Sequence, residues 1–225
     1  FSLVIFLQNF SVYKNIYHYI KNIMSANTKL LPHIQVLRGF SVILVFLYHL
    51  KINFFSKGYI GVDIFFVISG FVITNMLIKE FEITKKINFL SFYIKRFKRI
   101  FPLLIFVTTT TFVLYKFFGP PDLSLRKDFI YSLLGVSNIL FMFKEIDYFD
   151  NVFDNPYAHT WSLGVEEQFY LIFPIFLFFI LKYLNFKNIA KFFYLLIFIS
   201  LFTIFFFNIN ISTIFYLPFL RFWEF

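Results

Sequence analysis

In a chain of 225 residues that is 60% hydrophobic, the side chains able to do acid–base or anion chemistry are few enough to name. Arg38 and His49 stand eleven residues apart in LRGFSVILVFLYHLKIN, residues 37–53. Eleven helical steps make roughly three turns, so the two share one face, about 16 Å apart along the axis. Arginine offers a fork that matches phosphate oxygens, and histidine takes and returns a proton near neutral pH. Asp63 lies in the next apolar run, where it can pair with a cation, help to position His49, or simply match the positive end of a helix. Lys95, Arg96, Lys98 and Arg99 crowd before Pro102 and suit a phosphate clamp. His159 and Trp161 precede an adjacent carboxylate pair, Glu166 and Glu167. Each of these also has a plainer reading as a helix-end anchor, a topology signal or a dipole-matching charge. Cysteine is absent, which removes disulfides, thiolate metal sites and an acyl-cysteine intermediate. There is no Walker motif and no glycine-rich dinucleotide fingerprint.

The elements that must position these groups are membrane helices. Phenylalanine alone supplies 41 residues, more aromatic surface than a soluble domain of this size can hide. Strands of alternating polarity are not evident, which argues against an outer-membrane barrel. The net charge of +9 would suggest nucleic acid in a soluble chain, but here the Lys and Arg cluster between apolar runs and orient them. An ionisable group held within hydrocarbon costs ~3 kcal/mol, so those inside the runs are expected to face an interior.

The run at 59–78 is preceded by Gly58 and contains Gly61 and Gly70, and these small residues permit close helix approach. Its Ser69 is expected to bond back to its own helix. Residues 79–99 hold Lys79, Lys85, Lys86, Lys95, Arg96, Lys98 and Arg99 against Glu80 and Glu82, and are placed in the cytoplasm. A span at 100–118 is closed by Gly119-Pro120-Pro121. The run at 129–143 is short for a crossing and reads as tilted or re-entrant. An acidic stretch follows, with Glu145, Asp147, Asp150 and Asp154. Thr160 or Ser162 could cap the next helix, whose mouth carries Glu166 and Glu167. Further spans are expected at 169–184 and 192–207, with another starting at Ile214. The expected fold is an all-α polytopic membrane protein, a helical bundle of six to seven membrane segments, one of them a candidate for re-entry. Residues 1–23 are set aside as an extension, with Met24 a plausible true start, and the apolar pattern at Phe225 reads as a C-terminally truncated domain spanning 24–225.

Taken in order, the Arg38-to-His49 spacing, GVDIFFVISGF at 61–71, KRFKRIFP at 95–102 and HTWSLGVEEQFY at 159–170 resemble the membrane acyltransferase-3 family. The terminal RFWEF also looks like the start of a later helix of that family. One departure stands at Lys95-Arg96, where the family commonly doubles arginine; lysine keeps the charge and loses the bidentate fork. The resemblance implies transfer of an acyl group, usually acetyl, from cytoplasmic acyl-CoA to a hydroxyl of a cell-surface carbohydrate, peptidoglycan and lipopolysaccharide among the candidates. It implies a multi-pass protein of a bacterial inner membrane whose partners are the lipid bilayer, acyl-CoA and a surface glycan or lipid-linked sugar, with no metal and no nucleic acid. Attack of a sugar hydroxyl on a thioester needs a base of near-neutral pKa, for which His49 is the candidate. Glu166, Glu167 or Asp63 would orient it. Arg38, Lys95, Arg96 and Arg99 would hold CoA phosphates, and His159, Trp161 and Ser162 would lie on the acceptor side.

Two other classes compete. A proton-coupled transporter of an anionic or lipid-linked substrate would also carry arginine and histidine inside a bundle. A scaffold protein would carry them incidentally. Inverted repeats, which would favour the transporter, are not evident in the sequence.

Overall fold

The computed structural model describes residues 32–120, 124–144, 155–184, 186–206 and 210–225, and the regular elements among them are all helices. The chain forms two compact units, Phe1–Gly61 and Val62–Phe225. The segment 1–23, Met24 and the acidic residues Glu145, Asp147, Asp150 and Asp154 lie outside the described residues.

In the first unit, α1 runs Pro32–His49 and so ends before the expected boundary at 53. Lys51 turns the chain with a φ of 55°, and a short 3-10 turn, Asn53–Phe55, follows. Gly58 and Gly61 press against the α1 backbone at Leu44 and Ser41, where a Cβ would have no room. This is the close approach that small residues allow in membranes.

In the second unit, α2 (Ile60–Thr84, from the junction onward) extends past the expected end at 78. The chain turns at Lys85, φ 55°, into α3, Phe89–Phe118. Asn88 caps α3 by accepting from the Ser91 N–H at 3.0 Å, and its own N–H donates to Glu80 Oε1 at 2.9 Å. Most of the basic stretch 79–99 is therefore helical, and the span expected from residue 100 begins eleven residues earlier. Pro102 does not interrupt it, since a ring inside a helix removes one N–H bond and need only bend the rest. Gly119 closes α3 as expected.

The run at 129–143 is broken. Its residues belong to α4 (Leu125–Leu133) and α5 (Ser137–Phe143), separated by a turn in which Gly135 has φ 66°, a conformation L side chains rarely adopt. Neither piece has the length to cross a membrane. Next come α6, Thr160–Tyr183, and α7, Phe186–Phe206. The span expected from Ile214 is instead a single short helix, α8 (Ile211–Tyr216). Turns and a 3-10 segment, Phe222–Glu224, follow it.

Three described helices, α2, α3 and α6, are long and apolar enough to cross a membrane, fewer than the six to seven expected. The apolar part of α7, Lys191–Phe206, is shorter. The core joins Ile73 and Leu77 of α2 to Phe92 of α3 and to Phe169, Phe173 and Leu177 of α6. Leu103, Phe106, Phe117 and Phe118 of α3 are left uncovered by protein, as lipid-facing side chains are. With apolar surroundings on both sides, close packing and internal polar contacts must hold such helices together.

Candidate functional site

The two glutamates of α6 point about 100° apart, as neighbours on a helix must. Glu166 is buried, at 7% exposed, and Glu167 is half-buried. They sit nearly two turns inside the helix rather than at its mouth. Ser69 of α2 donates to Glu166 Oε1 at 2.7 Å, so it does not bond back to its own helix as expected. Tyr170, one turn further along α6, donates its hydroxyl to the same oxygen. Arg96 of α3 lies over the Tyr170 ring, 4.8 Å from its centroid, and 5.6 Å from that of Phe92. It also lies within electrostatic range of Glu167. Side chains of α2 and α6 thus meet at one buried carboxylate, and Arg96 of α3 covers the ring of the tyrosine that bonds to it. No cation pairs with Glu166 among the described residues.

Asp63 is committed elsewhere. Its Oδ1 accepts from Arg221 Nη2 at 2.5 Å, and Arg221 Nε donates to Glu224 Oε2 at 2.9 Å. Arg221 Nη1 donates to the Phe215 carbonyl at 3.2 Å, while Phe66, Trp161 and Phe215 surround the guanidinium at 5.0–5.6 Å. Such a fork satisfies two carboxylates at once, which lysine could not do with the same geometry.

A second polar layer lies under the start of α6. Thr160 is the first helical residue rather than a cap. Its hydroxyl joins Ser137 (3.0 Å) and the Tyr157 carbonyl (2.7 Å), with the Ser132 hydroxyl at 2.9 Å. Gln168 donates to Asn138 Oδ1 at 2.8 Å and to the Gly135 carbonyl at 3.2 Å, and Asn138 donates to the Tyr216 carbonyl at 3.0 Å. Buried Asp128 pairs with Lys144 and accepts from Asn155 at 2.9 Å. Tyr157 donates to the Thr108 carbonyl at 3.1 Å, and burial, reinforced by the Asp128 charge, pushes its phenol up to about 12. These contacts use the obligatory donors and acceptors of a packed polar layer.

The remaining expected residues fall in three places. Arg38 and His49 are half-buried residues of the first unit, and Glu166 belongs to the second. His49 Nδ1 lies 2.8 Å from the Val45 carbonyl. A carbonyl only accepts, so Nδ1 carries the proton and Nε2 is the basic nitrogen of the neutral ring. Lys95, Lys98 and Arg99 are exposed while Arg96 turns inward, so the four do not form one surface clamp. His159 is exposed and Ser162 half-buried, donating to the His159 carbonyl at 3.4 Å. Trp161 is buried at 2%, packed against Phe66, Phe215 and Tyr216, and is not an open acceptor surface.

Among the described residues no three His, Asp or Glu side chains converge as metal ligands would. An apolar cavity of about 350 Å³ lies between α6, α7 and residues 218–225, lined by Phe169, Phe173, Leu196, Phe219 and Phe222, with Gln168 its polar wall. Its lining has nothing to hold a phosphate.

The profile of a family described as Acyltransferase domain matches residues 31–225. The chain is 38% identical over 172 residues to O-acetyltransferase OatA of Staphylococcus aureus (strain NCTC 8325 / PS 47), covering 76% of this chain and 28% of that protein. It is 42% identical over 160 residues to Peptidoglycan O-acetyltransferase OatA of Listeria monocytogenes (strain EGD-e), covering 70% of this chain and 26% of that protein. The match therefore takes in little more than a quarter of the length of these relatives. No solved structure matches the chain.

Proposed function

Because the chain belongs to the acyltransferase-3 family, we propose that residues 24–225 are the acyl-transfer domain of a bacterial inner-membrane O-acetyltransferase acting on a cell-surface glycan. The donor is acetyl-CoA on the cytoplasmic side, and a peptidoglycan sugar hydroxyl is the favoured acceptor, after the name of the Listeria relative. The hydroxyl oxygen bonds to the acetyl carbon and the C–S bond to CoA breaks. The hydroxyl proton passes to a base and then to the departing thiolate.

His49 is assigned the base, since its Nδ1 is engaged and Nε2 has the lone pair. Of the three carboxylates expected to serve, Glu166 is kept. Asp63 is ion-paired to Arg221, and Glu167 is less enclosed. Arg38 with exposed Lys95, Lys98 and Arg99 is assigned to the CoA phosphates, and His159 to the acceptor side. The short α4 and α5 are read as a re-entrant pair, and α1 and α7 as further membrane segments beside the three longest helices.

The observation that most supports this reading is a carboxylate buried among long apolar helices and bonded by hydroxyls from two of them. Ionisable groups so placed are there for function more often than for stability. The relatives are named as transferases, which favours the enzyme over the transporter.

The test uses the full-length polypeptide in membranes with acetyl-CoA and a soluble muropeptide. Acceptor-dependent CoA release and a new acetyl ester by mass spectrometry are expected. His49→Ala should lower turnover ~10²–10⁴-fold, the reach of a positioned acid–base group. A well-expressed His49→Ala protein with undiminished turnover would remove His49 from the mechanism.

A further inference from the structure

Both hydrogen bonds made to Glu166 end on one oxygen. Ser69 approaches Oε1 from α2 and Tyr170 approaches it from within α6, and among the described residues no donor reaches Oε2. An ionised carboxylate has lone pairs on both oxygens, so an arrangement made only to satisfy a buried charge would spread its donors over both. Ser69 and Tyr170 are themselves buried, at 6% and 5% exposed, and each is fixed by its surroundings. Beside Ser69, Gly70 lies so close to the Phe225 backbone that no Cβ could be accommodated. The Tyr170 ring is covered by the Arg96 guanidinium. Both hydroxyls are therefore packed against one oxygen of the carboxylate, which sets where the other points.

We infer that Ser69 and Tyr170 are positioning residues that pin Oε1 of Glu166 and present Oε2 as the oxygen serving acyl transfer. This rests on the assignment of Glu166 proposed above and adds the two groups that aim it. Neither hydroxyl needs to touch the substrate.

The full-length polypeptide in membranes, assayed with acetyl-CoA and a muropeptide, tests this. Ser69→Ala and Tyr170→Phe should each lower kcat about tenfold or more, the factor carried by one hydrogen bond to a charged group. KM for acetyl-CoA should stay at the wild-type value, and Ser69→Thr, which keeps the hydroxyl, should restore turnover. Wild-type kcat in both variants, with Glu166→Gln inactive, would overturn the positioning role and leave the carboxylate in place. A loss of kcat matched by lost thermal stability, and not rescued by threonine, would make both residues packing elements and also overturn it. Wild-type turnover in Glu166→Gln would instead defeat the proposed function at that residue, and this inference with it.

Discussion

Glu166 is buried against two hydroxyls while Glu167 is half-buried, and substitution should separate them. Glu166→Gln should lower turnover ~10²–10⁴-fold, while Glu167→Gln should cost less than about tenfold. Initial rates of CoA release, normalised to protein in the membrane, decide this, and equal tolerance at both would take glutamate out of the mechanism. The basic residues should divide in the same manner. Arg99→Gln should raise KM for acetyl-CoA with little change in kcat, because an exposed fork is lost. Arg96→Gln should lower kcat instead, because its guanidinium covers the ring that holds Glu166. The carboxylate pair was legible in sequence, since two adjacent charges on an apolar helix cannot both face lipid. Ser69, Tyr170 and Arg221 were not. A serine in an apolar helix can satisfy itself on its own backbone, a tyrosine there passes for an interfacial aromatic, and nothing local to Arg221 points to a partner 158 residues away.

Among the elements, the turn between α4 and α5 and the link between α2 and residues 221–224 bear differently on stability. Gly135→Ala should cost about 1–2 kcal/mol, the penalty of a left-handed backbone, because the added Cβ would meet Glu167 at an ordinary 3.5 Å. Arg221→Ala should cost about 3 kcal/mol, since it strands buried Glu224 together with half-buried Asp63. Thermal unfolding in detergent should rank the two in that order, and an Arg221→Ala protein as stable as wild type would contradict the hub. Helix ends were readable where chemistry forces them: Gly119 before Pro120 closes α3, and the shortness of the 129–143 run fits its division into two pieces. Pro102 was a poorer guide. A single proline removes one donor, and the helix continues because residues on both sides of it are apolar or long-chain helix formers. The end of the chain misled for another reason: Pro218 and the pull of Asp63 on Arg221 favour turns where composition alone suggested a span.

For the molecule as a whole, orientation is the property that sequence charge should set. The turn between α2 and α3 is rich in lysine, so Lys86→Cys, an exposed site in a chain with no native cysteine, should resist impermeant thiol reagents in intact spheroplasts and react after lysis. Labelling before lysis would invert the arrangement proposed for donor and acceptor. The ion pair between Asp63 and Arg221 also has a consequence for how the protein is made. Asp63 leaves the ribosome 158 residues ahead of its cation. At roughly 5–20 residues per second it waits about 8–30 s, near the head of an apolar helix, before Arg221 exists. The pair that ties α2 to residues 221–224 is therefore a late contact, closed only after every helix described between them has been made.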